Sequence, residues 1–196
     1  EWQTLMSVFG GDFYSNTDIL HVIGNHETFG DVNADRARAV FGIPVDEASG
    51  YYSVEYGQVY VATIGYTLDR EVMQASLDWL VEDASQSSCP WKILAIHVPT
   101  YYSNSEQTDS EFYNKYLPAA AEKAGITCVF SGHDHSYGRT EELNGVMYFI
   151  SGTAGEKKYA CSDNGFPFVT ITVNDEGVKT PTQNYNAIVL NGYATD

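Results

Sequence analysis

Four of the five histidines in this chain stand where apolar runs end. Gly24-Asn25-His26-Glu27 closes the run Ile19–Ile23, His97 closes Ile93–Ile96, and Gly132-His133-Asp134-His135 closes Ile126–Phe130. Read as strands, the three runs deliver one side-chain amide and four imidazoles. Convergent N and O donors of that kind are what a transition-metal site requires: neutral imidazole suits Zn, Fe, Mn or Ni, and the Asn25 carbonyl oxygen adds a harder donor. A lone histidine at a strand end is more often a hydrogen-bonded polar residue than a ligand, but four at three strand ends resist that reading. His133 and His135 are separated by one residue, which in extended backbone turns both side chains to the same side. Gly132 lets the backbone approach closely. Glu27 and Asp134 are expected to orient the histidines rather than to ligate. His21, inside its run, is expected to be structural.

The elements that must position these residues follow from periodicity. Trp2–Phe9 reads as a piece of helix with Leu5, Met6 and Phe9 on one face, ended by Gly10-Gly11. After the strand Ile19–Ile23, a polar loop runs to Gly42-Ile43-Pro44. Tyr51–Tyr56 and Val59–Ile64 form a hairpin turned at Gly57-Gln58. Asp69 caps a helix with Glu71 in its first turn, and Met73, Leu77, Leu80, Val81 and Ala84 make its buried stripe. Trp91–Val98 reads as a strand whose apolar run, Ile93–Ile96, is continuous rather than alternating, as expected when both sheet faces are covered. Ser110–Lys123 reads as helix, with Pro118 as a kink and Gly125 as its stop. Ile126–Phe130, Val146–Ile150 and Phe168–Val173 read as strands, and the chain is expected to fray from Gly192. Strand and helix alternate in the middle and antiparallel strands dominate the end. The fold class is therefore mixed α/β, with covered sheets flanked by helices. Ligands of such sheets bind beyond the carboxyl ends of the strands, where Asn25, His26, His97, His133 and His135 all fall.

Bulk properties narrow the function. The 196 residues fit one domain, 1–196. A net charge of −16 argues against nucleic acid as a partner and against large polyanionic substrates, unless a metal reverses the local field. No apolar run approaches the length that crosses a bilayer, so no membrane partner is expected. Cys89, Cys128 and Cys161 show no Cys-x-x-Cys spacing, which excludes zinc-ribbon and thioredoxin-like readings. Cys128 is expected in the core, and pairing of Cys89 with Cys161 is left open. Scarce Lys and Arg beside plentiful Tyr, Ser, Thr and Asn lean towards a secreted or organelle-lumen protein. The lack of any Asn-x-Ser/Thr acceptor weakens that lean. Neither Gly-x-Ser-x-Gly nor His-Glu-x-x-His is present, and there is no Gly-x-Gly-x-x-Gly.

The ordered trio of motifs resembles the calcineurin-like metallophosphoesterases. It consists of Gly24-Asn25-His26-Glu27, then His97 with Pro99 and Tyr101, then Gly132-His133-Asp134-His135-Ser136-Tyr137-Gly138-Arg139-Thr140. The nearest likeness is to the purple acid phosphatase-like branch, with which Tyr51-Tyr52-Ser53 and Ser151–Gly155 also agree. The resemblance runs from about Trp2 to about Val173. It implies a four-layer α/β/β/α sandwich that hydrolyses phosphate esters with two divalent or trivalent metal ions (Fe, Zn or Mn) roughly 3.5–4 Å apart. It implies that Asn25, His97 and His133 bind one ion, that His135 binds the other, and that His26 contacts the phosphate and helps the leaving group depart. Tyr101 and Tyr102 could stack on a base or sugar of a small phosphorylated substrate, with packing or surface exposure as the favoured reading.

One departure matters. The family also uses an Asp-x-His and a Gly-Asp ahead of Gly-Asn-His. This chain has no Asp-x-His, and neither Gly11-Asp12 nor Gly30-Asp31 is suitably placed. The expectation is a domain lacking its first βαβ unit, roughly 30 residues or more, with at most one tight metal site. The alternative is a non-catalytic binding or structural module that kept the scaffold and lost the metals. Thr28–Gly50 and Tyr101–Asp109 are the loops expected to select substrate.

Overall fold

Apolar runs with no polar alternation demand cover on both faces, and the strands built from them pair into one six-stranded sheet. The computed structural model describes residues 4, 7, 18–43, 50–101, 108–152, 168–172 and 189–193. In chain order the elements are α1 (Asp35–Phe41), β1 (Tyr52–Tyr56), β2 (Val59–Ile64), α2 (Arg70–Gln86), β3 (Trp91–Ile96), α3 (Thr108–Ala124), β4 (Cys128–Ser131), β5 (Tyr137–Arg139), β6 (Met147–Ser151), β7 (Phe168–Thr172) and β8 (Val189–Tyr193). The sheet order is β1-β2-β3-β4-β6-β5. Strands β2, β3, β4 and β6 run parallel, and β1 and β5 close the two edges antiparallel.

Successive residues of each central strand go to opposite faces, as the pleat requires. Tyr60, Ala62, Leu94, Ile96, Val129 and Tyr148 join a core with the inner stripes of α2 and α3. Val59, Val61, Ile93, Cys128, Phe130, Met147 and Phe149 face the other way, where Ile171 of β7 packs on them. Helices, main sheet and the separate β7–β8 ladder thus form successive layers. Helix α2 begins as expected: the Asp69 carboxylate accepts from the Glu71 and Val72 amides at 2.8 and 3.0 Å. Met73, Leu77, Leu80 and Ala84 are buried along it. Pro118 lies within α3.

Four expectations change. Ile19–Ile23 is not a regular strand. Among the described residues it is tied to the sheet side by Tyr66 N to Ile23 O at 2.8 Å and by the Tyr52 hydroxyl to His21 O at 2.9 Å, too little to make a ladder. The loop expected before Gly42 contains α1, whose start is held by the Asp31 carboxylate accepting from the Asp35 and Arg36 amides. Seven residues are too few to show a helical period. The short edge strand β5 was not anticipated. The end expected to fray from Gly192 instead carries β8 through Tyr193, paired with β7. Of Trp2–Phe9, only Thr4 and Ser7, both helical, fall among the described residues. Cys89 and Cys128 are buried free thiols, and Cys161 lies outside the described residues. Burial pushes the Cys128 thiol up to about 12. Among the described residues, no helix is long and apolar enough to cross a membrane.

Candidate metal centre

Parallel strands aligned in one sheet present their carboxyl ends along one rim. His97 follows β3 directly, and Gly132-His133 follows β4. The two ends are joined by the Gly132 amide donating to His97 O at 3.0 Å. The Gly24–Asn25 turn reaches the same rim from the segment beside β2. There Asn25 Oδ1 lies 2.8 Å from His97 Nε2, and His133 Nδ1 lies 3.2 Å from the same nitrogen. Residues 72 and 36 positions apart in the chain therefore meet at one atom.

The His97 imidazole is driven down to about 4, first by burial and then by the neighbouring His133, His26 and His135 rings. Burial also lowers His133, opposed by the carboxylates of Asp109 and Asp134. Both rings are thus neutral at physiological pH, which is the form that ligates. Donors bonded to one ion at ~2.0–2.2 Å stand roughly 3 Å from one another, and the separations of 2.8 and 3.2 Å are of that size. The donor set therefore fits a cation. It consists of two imidazoles and an amide; among the described residues, no group of three His, Cys, Asp or Glu side chains assembles.

The loop carrying His133 and His135 is not extended, as the His-x-His spacing suggested. Residues 133–136 form consecutive bends, with Asp134 N to Gly132 O and Ser136 N to Asp134 O both at 2.6 Å. His133 has φ 60. A left-handed non-glycine residue costs about 1–3 kcal/mol and persists where its surroundings over-determine it. Here Asp134 is fully buried, and Gly152 N donates to Ser136 O at 3.0 Å. A Cβ on Gly152 would lie 2.0 Å from Asp134 O, so no larger residue fits beneath the loop.

The other candidates take distinct places. His26 is exposed, with its ring 4.8 Å from that of Phe29. His135 is half-buried and reaches the His97–His133 pair electrostatically. Glu27 Oε2 accepts from Gly24 N at 2.8 Å and closes the turn that aims Asn25. A Cβ on Gly24 would lie 2.8 Å from both Glu27 Oε2 and the His97 ring, so Gly24 is the space into which that imidazole packs. His21 stacks on Phe41 at 3.6 Å and lines, with Ile23, Glu27 and Ile43, a cavity of about 200 Å³ that none of Asn25, His97 or His133 borders. Tyr101 is half-buried and meets Tyr148 edge-on at 4.8 Å. Two neighbours escaped the sequence reading. Tyr66 sits edge-on to His97 at 6.3 Å and donates to Asp109 Oδ2 at 3.1 Å, and the Asp109 carboxylate bears on His133. Neither belongs to a motif; only position at a strand end or in the first turn after a candidate loop could have marked them.

The family described as calcineurin-like phosphoesterase matches residues 3–137. The chain belongs to that family. Within it, its likeness is to the purple acid phosphatases. Purple acid phosphatase 18 of Arabidopsis thaliana is 32% identical over 119 residues, covering 55% of this chain and 27% of the relative. Fe(3+)-Zn(2+) purple acid phosphatase 12 of the same plant is 24% identical over 135 residues, covering 65% of this chain and 27% of the relative. The chain thus spans under a third of these relatives' length. Among solved structures, a purple acid phosphatase from yellow lupin (Lupinus luteus) seeds shares the fold, with a TM-score of 0.55 and 18% identity over 70% of this chain and 31% of that one.

Proposed function

We propose that this chain is the histidine-bearing part of a metal-dependent phosphatase acting on small phosphorylated substrates, with Asn25, His97 and His133 holding one ion and His135 contributing to a second. The meeting of the Asn25 amide and two neutral imidazoles at His97 Nε2 carries the reading. Iron, zinc and manganese all suit such donors, and one similar protein is named for Fe(3+) and Zn(2+). Bound there, the metal would supply Lewis-acid activation of the phosphoryl group and of water.

The chain's own residues account for the rest. Burial keeps His97 unprotonated, so its lone pair stays available. Glu27 and Gly24 fix the turn that presents Asn25. His26, exposed beside that turn, binds the phosphate and gives a ring proton to the leaving-group oxygen as the ester bond breaks. The acidic surface repels polyanions, which favours small esters. Hydrolysis of a chromogenic phosphomonoester by the metal-loaded full-length protein tests this, since a stretch bearing only Asn25, His97, His133 and His135 is expected to hold at most one metal tightly and to turn over poorly. His26→Ala should lower kcat by about 100-fold or more while metal content is kept. No turnover with metal demonstrably bound would contradict it.

A second reading, a metal-free binding scaffold, is favoured by the lack of a complete His/Cys/Asp/Glu group among the described residues. Under that reading, added Zn or Mn would leave the melting temperature unchanged.

A further inference from the structure

Beside His26 stands an exposed aromatic ring. Phe29 is 67% exposed and Val32 87% exposed, on the turn that follows the Asn25-His26 pair. Single exposed hydrophobic residues are ordinary on protein surfaces, and exposure alone would mean nothing. The position of Phe29 is what carries weight. Its ring lies 4.8 Å from the His26 ring, tilted by 47°, with most of its surface still open. The turn holding it is stitched: Thr28 N and Oγ1 both donate to Asn25 O, Phe29 N donates to His26 O, and Asp31 N donates to Thr28 O. The carboxylates nearby in sequence are engaged elsewhere, Glu27 on Gly24 N and Asp31 on the first amides of α1. What a group leaving past His26 would meet is therefore an ordered aromatic ring.

We propose that Phe29 is the leaving-group wall of the site and selects aryl phosphate esters over esters of small polar alcohols. This rests on the phosphatase reading above, in which His26 stands on the leaving-group side. A ring stacked against Phe29 should gain affinity worth about a factor of ten, the size of an aromatic pair contact. An alkyl or hydroxyalkyl group gains little there.

The test is equilibrium binding, not turnover. Calorimetry with the zinc-loaded full chain compares phenylphosphonate with methylphosphonate, for the native protein, Phe29→Ala and Phe29→Leu. Phenylphosphonate should bind about tenfold tighter to the native protein. Phe29→Ala should erase that ratio and Phe29→Leu keep part of it, with methylphosphonate affinity and melting temperature unchanged in both. Equal affinities in the native protein, or a ratio that survives Phe29→Ala, would overturn the inference while leaving the phosphoryl site standing. If neither phosphonate binds although zinc does, the phosphatase reading falls and takes this inference with it.

Discussion

The two halves of the candidate centre are held in different ways. His97 and His133 extend strands inside a ladder buried on both faces, with Leu94 and Val129 under them at 0% and 1% exposure. Asn25 and His26 sit on a stretch that forms no ladder, kept in place by one backbone bond to Tyr66 and by a series of tight turns. The sheet-borne half is rigid because displacing it breaks the core. The turn-borne half is ordered by tight-turn hydrogen bonds, each worth about 0.5–1.5 kcal/mol net, by the Tyr66 and Tyr52 bonds to Ile23 O and His21 O, and by the small core of Ile23, Ala34, Ala37 and Ile43. A site so built can fix two imidazoles permanently and still let the substrate-facing side adjust.

The largest effect should come from the sheet-borne side. Leu94→Ala, at a fully buried position in the middle of β3, should cost about 2–5 kcal/mol in urea denaturation. It should weaken metal binding as well, because His97 rides on the same strand. A loss below about 1 kcal/mol would mean that the sheet does not anchor the site.

The pH response belongs to the same half. The imidazole of His97 titrates near 4 when folded and near 6.5 when unfolded, so between those values the unfolded chain binds the extra proton. Stability of the metal-free protein should therefore fall as pH drops from about 6.5 towards 4, by at most about 1.4 kcal/mol per unit from this group. His97→Asn should flatten that slope, isolating it from the carboxylates. An unchanged slope would show that His97 is not held neutral.

The smallest effect should come from the turn. Thr28→Val removes the hydroxyl bond to Asn25 O and should cost about 1 kcal/mol or less. Its signature is faster hydrogen exchange at Phe29 and Asp31 with no change at Leu94. Global destabilisation instead would mean that the two halves are one cooperative unit.

The same contrast decides what the sequence disclosed. Strands buried on both faces announce themselves as apolar runs, so β2, β3, β4, β6 and the stripe of α2 were legible, as was the hairpin of β1 and β2. The convergence of Asn25, His97 and His133 was legible because each closes such a run. What depends on single local bonds was not. Ile19–Ile23 is apolar enough to read as a strand but has no ladder among the described residues. Helix α1 is too short for a period and starts on the Asp31 side chain. The bend at His133 hides because its left-handed backbone rests on the fit of Asp134 over Gly152, a contact that spacing cannot reveal. Asp109 and Tyr66 hide for the same reason: their place beside the histidines is made by the approach of α3 to the end of β2.

The most direct test is calorimetric titration of the metal-free chain with Zn²⁺, beside the His97→Ala variant. The account predicts about one tightly bound equivalent and a loss of more than about tenfold in affinity on removing the imidazole that meets both other donors. Zinc bound equally well by the variant, or not bound by the native chain, would contradict it.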